Sequence, residues 1–381
     1  GDFGKHMITQ FRQIELGELA IFKTGKLDSN AAVENGKYPF FTCSRETFQT
    51  NTYSFDDEVV LLAGNNAAGI FPLKYFKGKF DAYQRTYVIR TIDETKLQTR
   101  FLYFALRPLL NHLRDISTGA ATKFLTIGLL KSLKIPLPDL PTQKKIAGIL
   151  SAYDDLIENN LRRIAILEEM AQSLYREWFV HFRFPGHEKA KFIDSELGKI
   201  PEGWEVKKLS EIANLTMGLS PKGNTYNDQG LGTALVNGPV EFGDRFTKAI
   251  KWTTAPTKLC KNNDLIVCVR GSTTGKHVKS NGVYCLGRGV CSLSSMYQSF
   301  IDYLFKDQLR TLLAMTNGST FPSWTGPLMK SHPVLSPPES LIKDYDRFGK
   351  KLNLQIQTLA CKNDNLRKTR DLLLPKLLSS E

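Results

Sequence analysis

Two groups of side chains in this sequence have the chemistry to read the edges of nucleic-acid bases. The first comprises Thr42, Ser44, Arg45, Asn65, Asn66, Gln84, Arg85 and Lys123, and the second Lys222, Arg245, Arg270, Lys276, Arg288 and Trp324. Guanidinium and ammonium groups suit the acceptors of guanine, amides match the donor and acceptor of adenine, and small groups fit beside thymine methyls. Loops carrying this mixture suit a major groove. Lys123 follows a Gly-Ala-Ala-Thr stretch that favours contact, whereas Gln84 and Arg85 lead into a β-branched run where a structural role competes. Trp324 is open between contact and core. Asn224 and Asn237 read first as turn residues. Gly271–Lys276 (GSTTGK) resembles a phosphate loop but is one residue short, with His277 where a metal-binding hydroxyl would stand. That leaves a basic, hydroxyl-rich loop for DNA phosphates or an ordinary strand connection.

These residues sit among short strands and polar loops. Val59–Ala63 and Thr86–Arg90 bracket the first glycine-rich loop, Leu265–Val269 and Gly282–Leu286 the second, and helical pattern appears at Phe101–Leu113 and Phe300–Met315. The two halves are copies. Phe11–Gly25 (FRQIELGELAIFKTG) returns 193 residues on as Trp204–Gly218 (WEVKKLSEIANLTMG), and Gly119–Pro138 returns 199 residues on as Gly318–Pro337. Repeats this long are separate α+β modules, each with a curved sheet and a core of its own.

A long heptad seam follows each module. The first runs through Leu150, Tyr153, Ile157, Asn160, Ile164, Leu167 and Leu174, the second through Leu352, Ile356, Leu359, Asn363, Leu366 and Leu373. Asn160 and Asn363 fall at equivalent positions, and a buried Asn fixes register at a cost in stability, so the helices are expected to pair with each other. Off the seam, Tyr175, Phe179 and Phe182 near one helix end, and Leu374 and Leu378 near the other, form apolar patches beside Arg176, Lys368 and Lys376. They suit either docking of partner subunits or packing on the modules.

A net charge of +13 favours a polyanionic partner. The six cysteines show no zinc spacing and read as reduced, mostly buried thiols, so no metal is expected. No apolar stretch is long enough for a bilayer and no signal peptide opens the chain, which makes the cytoplasm the expected compartment. Residues 1–7 read as an expression leader followed by the start Met7. The nearest approach to an amino-methyltransferase motif, Ser336-Pro337-Pro338-Glu339, lacks both the amide and the aromatic ring that such a motif needs.

Several segments in order resemble the specificity subunit of type I restriction-modification systems: YPFFTCS (38–44), LLAGNNAAGIF (61–71), KFDAYQRTYVI (79–89), LKIPLPDLPTQKKIAGILSAYDDLIENN (133–160), MAQSLYREWFVHF (170–182) and RDLLLPKLLSSE (370–381). The resemblance spans essentially the whole chain. It implies two target recognition domains, 8–138 and, with a linker, 184–338, held apart by an antiparallel coiled coil of helices at 139–183 and 339–381. Each domain would read one half of a bipartite double-stranded DNA target, while the coiled coil sets the spacer. Two modification subunits carrying S-adenosylmethionine would dock on the helices, restriction subunits would join them, and this chain would be non-catalytic, with no cofactor of its own. The alternatives from other classes are a divergent DNA methyltransferase or nuclease, and a paired-helix protein-binding scaffold.

Overall fold

The computed structural model describes residues 11–67, 69–119, 122–316 and 322–379, so residues 1–7 and the Ala120-Ala121 pair before Lys123 lie outside the described residues. The chain divides into two compact units. One takes the residues up to Leu161 with those from Cys361 on, the other Arg162–Ala360. The division cuts through both long helices, Leu140–Phe179 and Glu339–Leu378, so each unit includes part of each helix. Among the described residues no helix is long and apolar enough to cross a membrane.

In the first unit six strands are ordered Ala20–Thr24, Thr86–Thr91, Phe55–Ala63, Leu73–Ala82, Tyr38–Phe41, Phe48–Thr50. All neighbours are antiparallel except Tyr38–Phe41, which runs parallel to Leu73–Ala82. The VVLLA run that ends Phe55–Ala63 is buried throughout, and its alternation sends Val60 and Leu62 to one face and Val59 and Leu61 to the other. The first face packs under Phe101, Leu102 and Leu113 of two short helices and Leu150 of the long one. The second gathers Phe41, Phe80, Ala82 and Val88, all strand residues, so the sheet curls around them. The repeated glycine marks a close approach. A Cβ on Gly25 would meet the Ala82 carbonyl oxygen at 1.8 Å, and one on Gly218 the Gly287 oxygen at 2.1 Å.

The start of the first long helix is fastened by one side chain. Gln143, fully buried, accepts from Gln98 N–H at 2.9 Å and donates to the carbonyl oxygens of Lys96 at 2.8 Å and Pro138 at 2.9 Å. Within this unit the two helices run antiparallel. Asn160 Nδ2 donates to Asn363 Oδ1 at 2.8 Å, and Asn363 Nδ2 to the Ile157 carbonyl at 3.3 Å. Arg370, on the same seam, pairs with Asp154 and Asp371, and Asp154 also takes Arg107 at 3.4 Å.

The second unit carries two four-stranded sheets, one ordered Asn214–Met217, Val290–Ser294, Leu265–Cys268, His277–Lys279, the other Tyr226–Asn227, Lys251–Thr253, Thr233–Val236, Cys285–Leu286. Alternation again splits the central strand: Leu265, Val267 and Val269 face Phe300 and Trp324, while Ile266 and Cys268 face Val236 and Leu286. Lys279, on the edge strand, is fixed to Asp302 of helix Gln298–Ala314 at 2.7 Å. In this unit Ile164 and Leu167 pack on Ile356 and Leu359, and Tyr345 donates its hydroxyl to the Ala171 carbonyl at 2.9 Å. Every seam residue expected from the heptads is buried or half-buried in its unit. Cys260, Cys268, Cys285 and Cys291 are buried, and burial pushes the Cys260 and Cys268 thiols up to about 11 and Cys291 to about 12.

The Asn pair generates a test. Asn363→Ala strands the buried Asn160 amide and should cost about 1–3 kcal/mol in urea unfolding. Replacing both residues with Leu should recover that loss, because apolar packing replaces a buried polar pair without orphaning either partner. A double variant weaker than the single one would show that the amides contribute more than mutual satisfaction.

Candidate nucleic-acid interface

In the first unit the candidate readers converge on one main-chain knot. Gly64, leaving the buried strand, donates its N–H to the Arg85 carbonyl at 2.8 Å and accepts from Leu125 N–H at 2.9 Å. The next residues pair as a two-residue ladder, Asn65 with Phe124 and Asn66 with Lys123. Cys43 Sγ lies 3.4 Å from the Arg85 carbonyl, which places the Thr42–Ser44 segment alongside. That loop is pinned by Lys74, whose Nζ donates to the Glu46 carbonyl at 2.6 Å, and burial holds the Lys74 ammonium down to about 8. Gln84, Arg85, Thr24 and Phe124 border a depression of about 350 Å³ floored by Gly64, Tyr87 and Leu125. Arg85 is exposed, its guanidinium 5.7 Å from the Phe124 ring centroid.

The second unit repeats the knot. Val269 N–H donates to the Gly289 carbonyl at 2.9 Å, and Trp324 N–H to the Val269 carbonyl at 2.9 Å. Arg270, the next residue, bridges to Ser323 as Asn65 pairs with Phe124. Gly218 N–H bonds the Val290 carbonyl at 3.0 Å as Gly25 N–H bonds that of Thr86 at 3.3 Å. In both units the returning chain then starts a short helix under a threonine cap, Thr126 accepting from Leu129 N–H and Thr325 from Leu328 N–H, each at 3.3 Å. Arg270 and Arg288 are exposed beside this frame. Arg288 has its own N–H held by Ser220 Oγ at 3.1 Å, and Lys222 follows two residues after that serine. Lys276 is exposed at the end of the GSTTGK turn, where the Thr274 hydroxyl lies 2.8 Å from the carbonyl oxygens of both Gly271 and Pro322. The turn is thus bonded to itself and to the frame, with Lys276 exposed at its end.

Burial answers two questions left open above, and one candidate, Arg245, is corrected. Trp324 is 2% exposed and its indole N–H donates to the Leu312 carbonyl at 2.9 Å. Its main chain belongs to the frame, and its ring fills the place that Leu125 takes in the first unit. Arg245 is tied to Glu168 of the first long helix by two bonds of 2.8 and 3.1 Å, so its guanidinium fork is spent within the unit. The docking patches are core. Tyr175 and Phe179 are 3% and 4% exposed among Phe300, Tyr345 and Trp204, and half-buried Phe182 packs on Trp204. Leu374 is buried and Leu378 half-buried against the core of the other unit. An apolar residue off the heptad seam has a third body to pack on whenever a module lies against the helix pair.

Sequence reasoning passed over Thr24 and Ser220. Each had a signal: Thr24 directly precedes the repeated Gly25, and Ser220 stands two residues after Gly218. The corrections carry a measurable contrast. Phe179→Ala and Trp324→Ala should each cost about 3–5 kcal/mol in denaturant unfolding, whereas Arg270→Ala and Arg288→Ala should stay within about 0.5 kcal/mol of the parent. A destabilised Arg288→Ala would mean that the side chain supports the loop.

Comparison with known proteins follows the same division. Residues 9–169 and 201–342 match the type I restriction modification DNA specificity domain. The chain is 29% identical to the type I restriction enzyme EcoDI specificity subunit of Escherichia coli, over 90% of this chain and 84% of that one. It is 25% identical to the putative type I restriction enzyme MjaX specificity subunit of Methanocaldococcus jannaschii, over 98% and 86%. The crystal structure of the type I restriction-modification S subunit from M. genitalium has the same fold, with a TM-score of 0.65 at 17% identity, covering 99% of this chain and 98% of that one.

Proposed function

This chain belongs to the family of type I restriction-modification DNA specificity proteins, and we propose that each of its units reads one half of a bipartite DNA target. What supports the reading is the recurrence of one main-chain frame in both units, bordered by exposed or half-exposed amide and guanidinium groups in the first and by guanidinium groups in the second. A rigid frame rimmed by exposed or half-exposed polar side chains suits base readout, because the positions of those side chains are set in advance. In the first unit the readers are Asn65, Asn66, Gln84, Arg85 and Lys123, with Thr42, Ser44 and Arg45 on the adjoining loop. In the second they are Arg270 and Arg288, with Lys222 and Lys276 positioned for phosphates.

In this reading methyl transfer belongs to modification subunits that carry S-adenosylmethionine, two of them docking on the helices, with restriction subunits joining the complex. The helices also set the spacer between the half-sites. With Tyr175, Phe179 and Leu374 buried in the cores, the docking face is assigned instead to exposed apolar positions such as Ile166 and Met170, one turn apart on the first helix.

The decisive experiment is sequencing the methylated sites that the complex, reconstituted with a modification subunit, leaves in DNA. A two-part motif is expected, and exchange of residues 10–137 for those of a relative should change only one part. A continuous motif, or a change in both parts, would remove the two-reader assignment. Lys276→Ala should weaken binding to all sequences alike and lower the salt slope by about one. Met170→Asp should leave DNA binding intact and reduce the number of modification subunits retained, read by native mass measurement; full assembly would place docking elsewhere.

A further inference from the structure

The repeated frame puts different chemistry at one matched position. The residue after Gly64 is Asn65 and the residue after Val269 is Arg270, and each pairs with the residue before the next link of its frame, Phe124 or Ser323. The match is therefore residue for residue along the backbone. Asn65 is half-buried and its amide has no hydrogen bond among the described residues; Arg270 is exposed and has no carboxylate partner among them. An amide that has shed part of its hydration without gaining a partner is poised for an external group that supplies both an acceptor and a donor. The neighbours follow the same split: Gln84 precedes Arg85 in one frame where Arg288 precedes Gly289 in the other.

We propose that the two units read different bases from the same place: Asn65 contacts an adenine in one half-site, and Arg270 a guanine in the other. The inference rests on the DNA-recognition reading above and adds to it which base each matched position selects. Asn offers its carboxamide to adenine N6 and N7, and Arg its fork to guanine O6 and N7. Both contacts need the N7 acceptor of the purine. Removing N7 while keeping the Watson–Crick edge therefore isolates them.

The test uses the reconstituted complex and duplexes carrying the motif found by sequencing its methylated sites, with the halves assigned by exchange of residues 10–137. Each guanine in the half read by the Arg162–Ala360 unit is replaced singly by 7-deazaguanine. In the other half each adenine other than the methylated one, on either strand, is replaced by 7-deazaadenine. One guanine replacement should weaken binding of the parent complex about tenfold or more, and Arg270→Ala should bind that duplex and the unmodified one equally. Asn65→Ala should behave likewise at one adenine. Each variant should leave the motif of the opposite half unchanged.

The inference is overturned if the parent is indifferent to every 7-deaza replacement, or if the variants keep the parent's sensitivity. It also fails if Arg270→Ala weakens all sequences alike and lowers the salt slope by about one, which marks a phosphate contact. In those outcomes sequence-specific binding persists and the two-reader function stands. Loss of any sequence preference in the parent complex would instead overturn that function, and this inference with it.

Discussion

A backbone N–H that leaves a buried strand has to find an acceptor, and in each unit it finds the carbonyl of a turn that is far away in sequence. Gly64 reaches Arg85 and Val269 reaches Gly289, and the carbonyls of Gly64 and Val269 then take the N–H of Leu125 and Trp324. An unmet main-chain group at that depth is expensive, so three separate chain segments are locked together before any side chain is chosen. Everything on the outer rim inherits its position from this knot. Asn65 and Arg270 differ in chemistry but not in how the chain beneath them is held, each paired across to the returning segment at Phe124 or Ser323.

The fold was legible where a physical constraint acts on identity. Gly25 and Gly218 recur because a carbonyl oxygen occupies the space a Cβ would need. Asn160 and Asn363 recur because Asn160 donates to Asn363 and Asn363 to the Ile157 carbonyl in an apolar seam, and the heptad placing of Leu150, Ile157, Ile164, Ile356 and Leu359 follows from burying one stripe of a helix. The alternation in Leu265–Val269 was visible as an apolar run, although which residue faces which core was not.

The site was legible less evenly, for reasons of chemistry. A heptad pattern states which residues meet the partner helix and is silent about a third body, so Tyr175 and Phe179 looked spare until Phe300 and Tyr345 were seen to pack on them. An arginine shows its charge in the sequence but not its partner: Arg245 and Arg270 are equal as letters, and only Glu168, 77 residues away in the chain, separates them. Thr24 and Ser220 were overlooked because what singles them out is their place beside the frame, which a composition-based search for readers does not register.

The fastening at Gln143 has a consequence for how such a protein changes over generations. All three of its bonds go to main-chain atoms, the N–H of Gln98 and the carbonyls of Lys96 and Pro138. A joint that addresses only the backbone is indifferent to which side chains the attached module carries. The socket would accept a different module whose chain follows the same path, provided that it keeps the few side chains that also reach the helix, such as Arg100 on Ser151 and Arg107 on Asp154. The outer rim of the module, which touches neither the socket nor these arginines, is left free to vary.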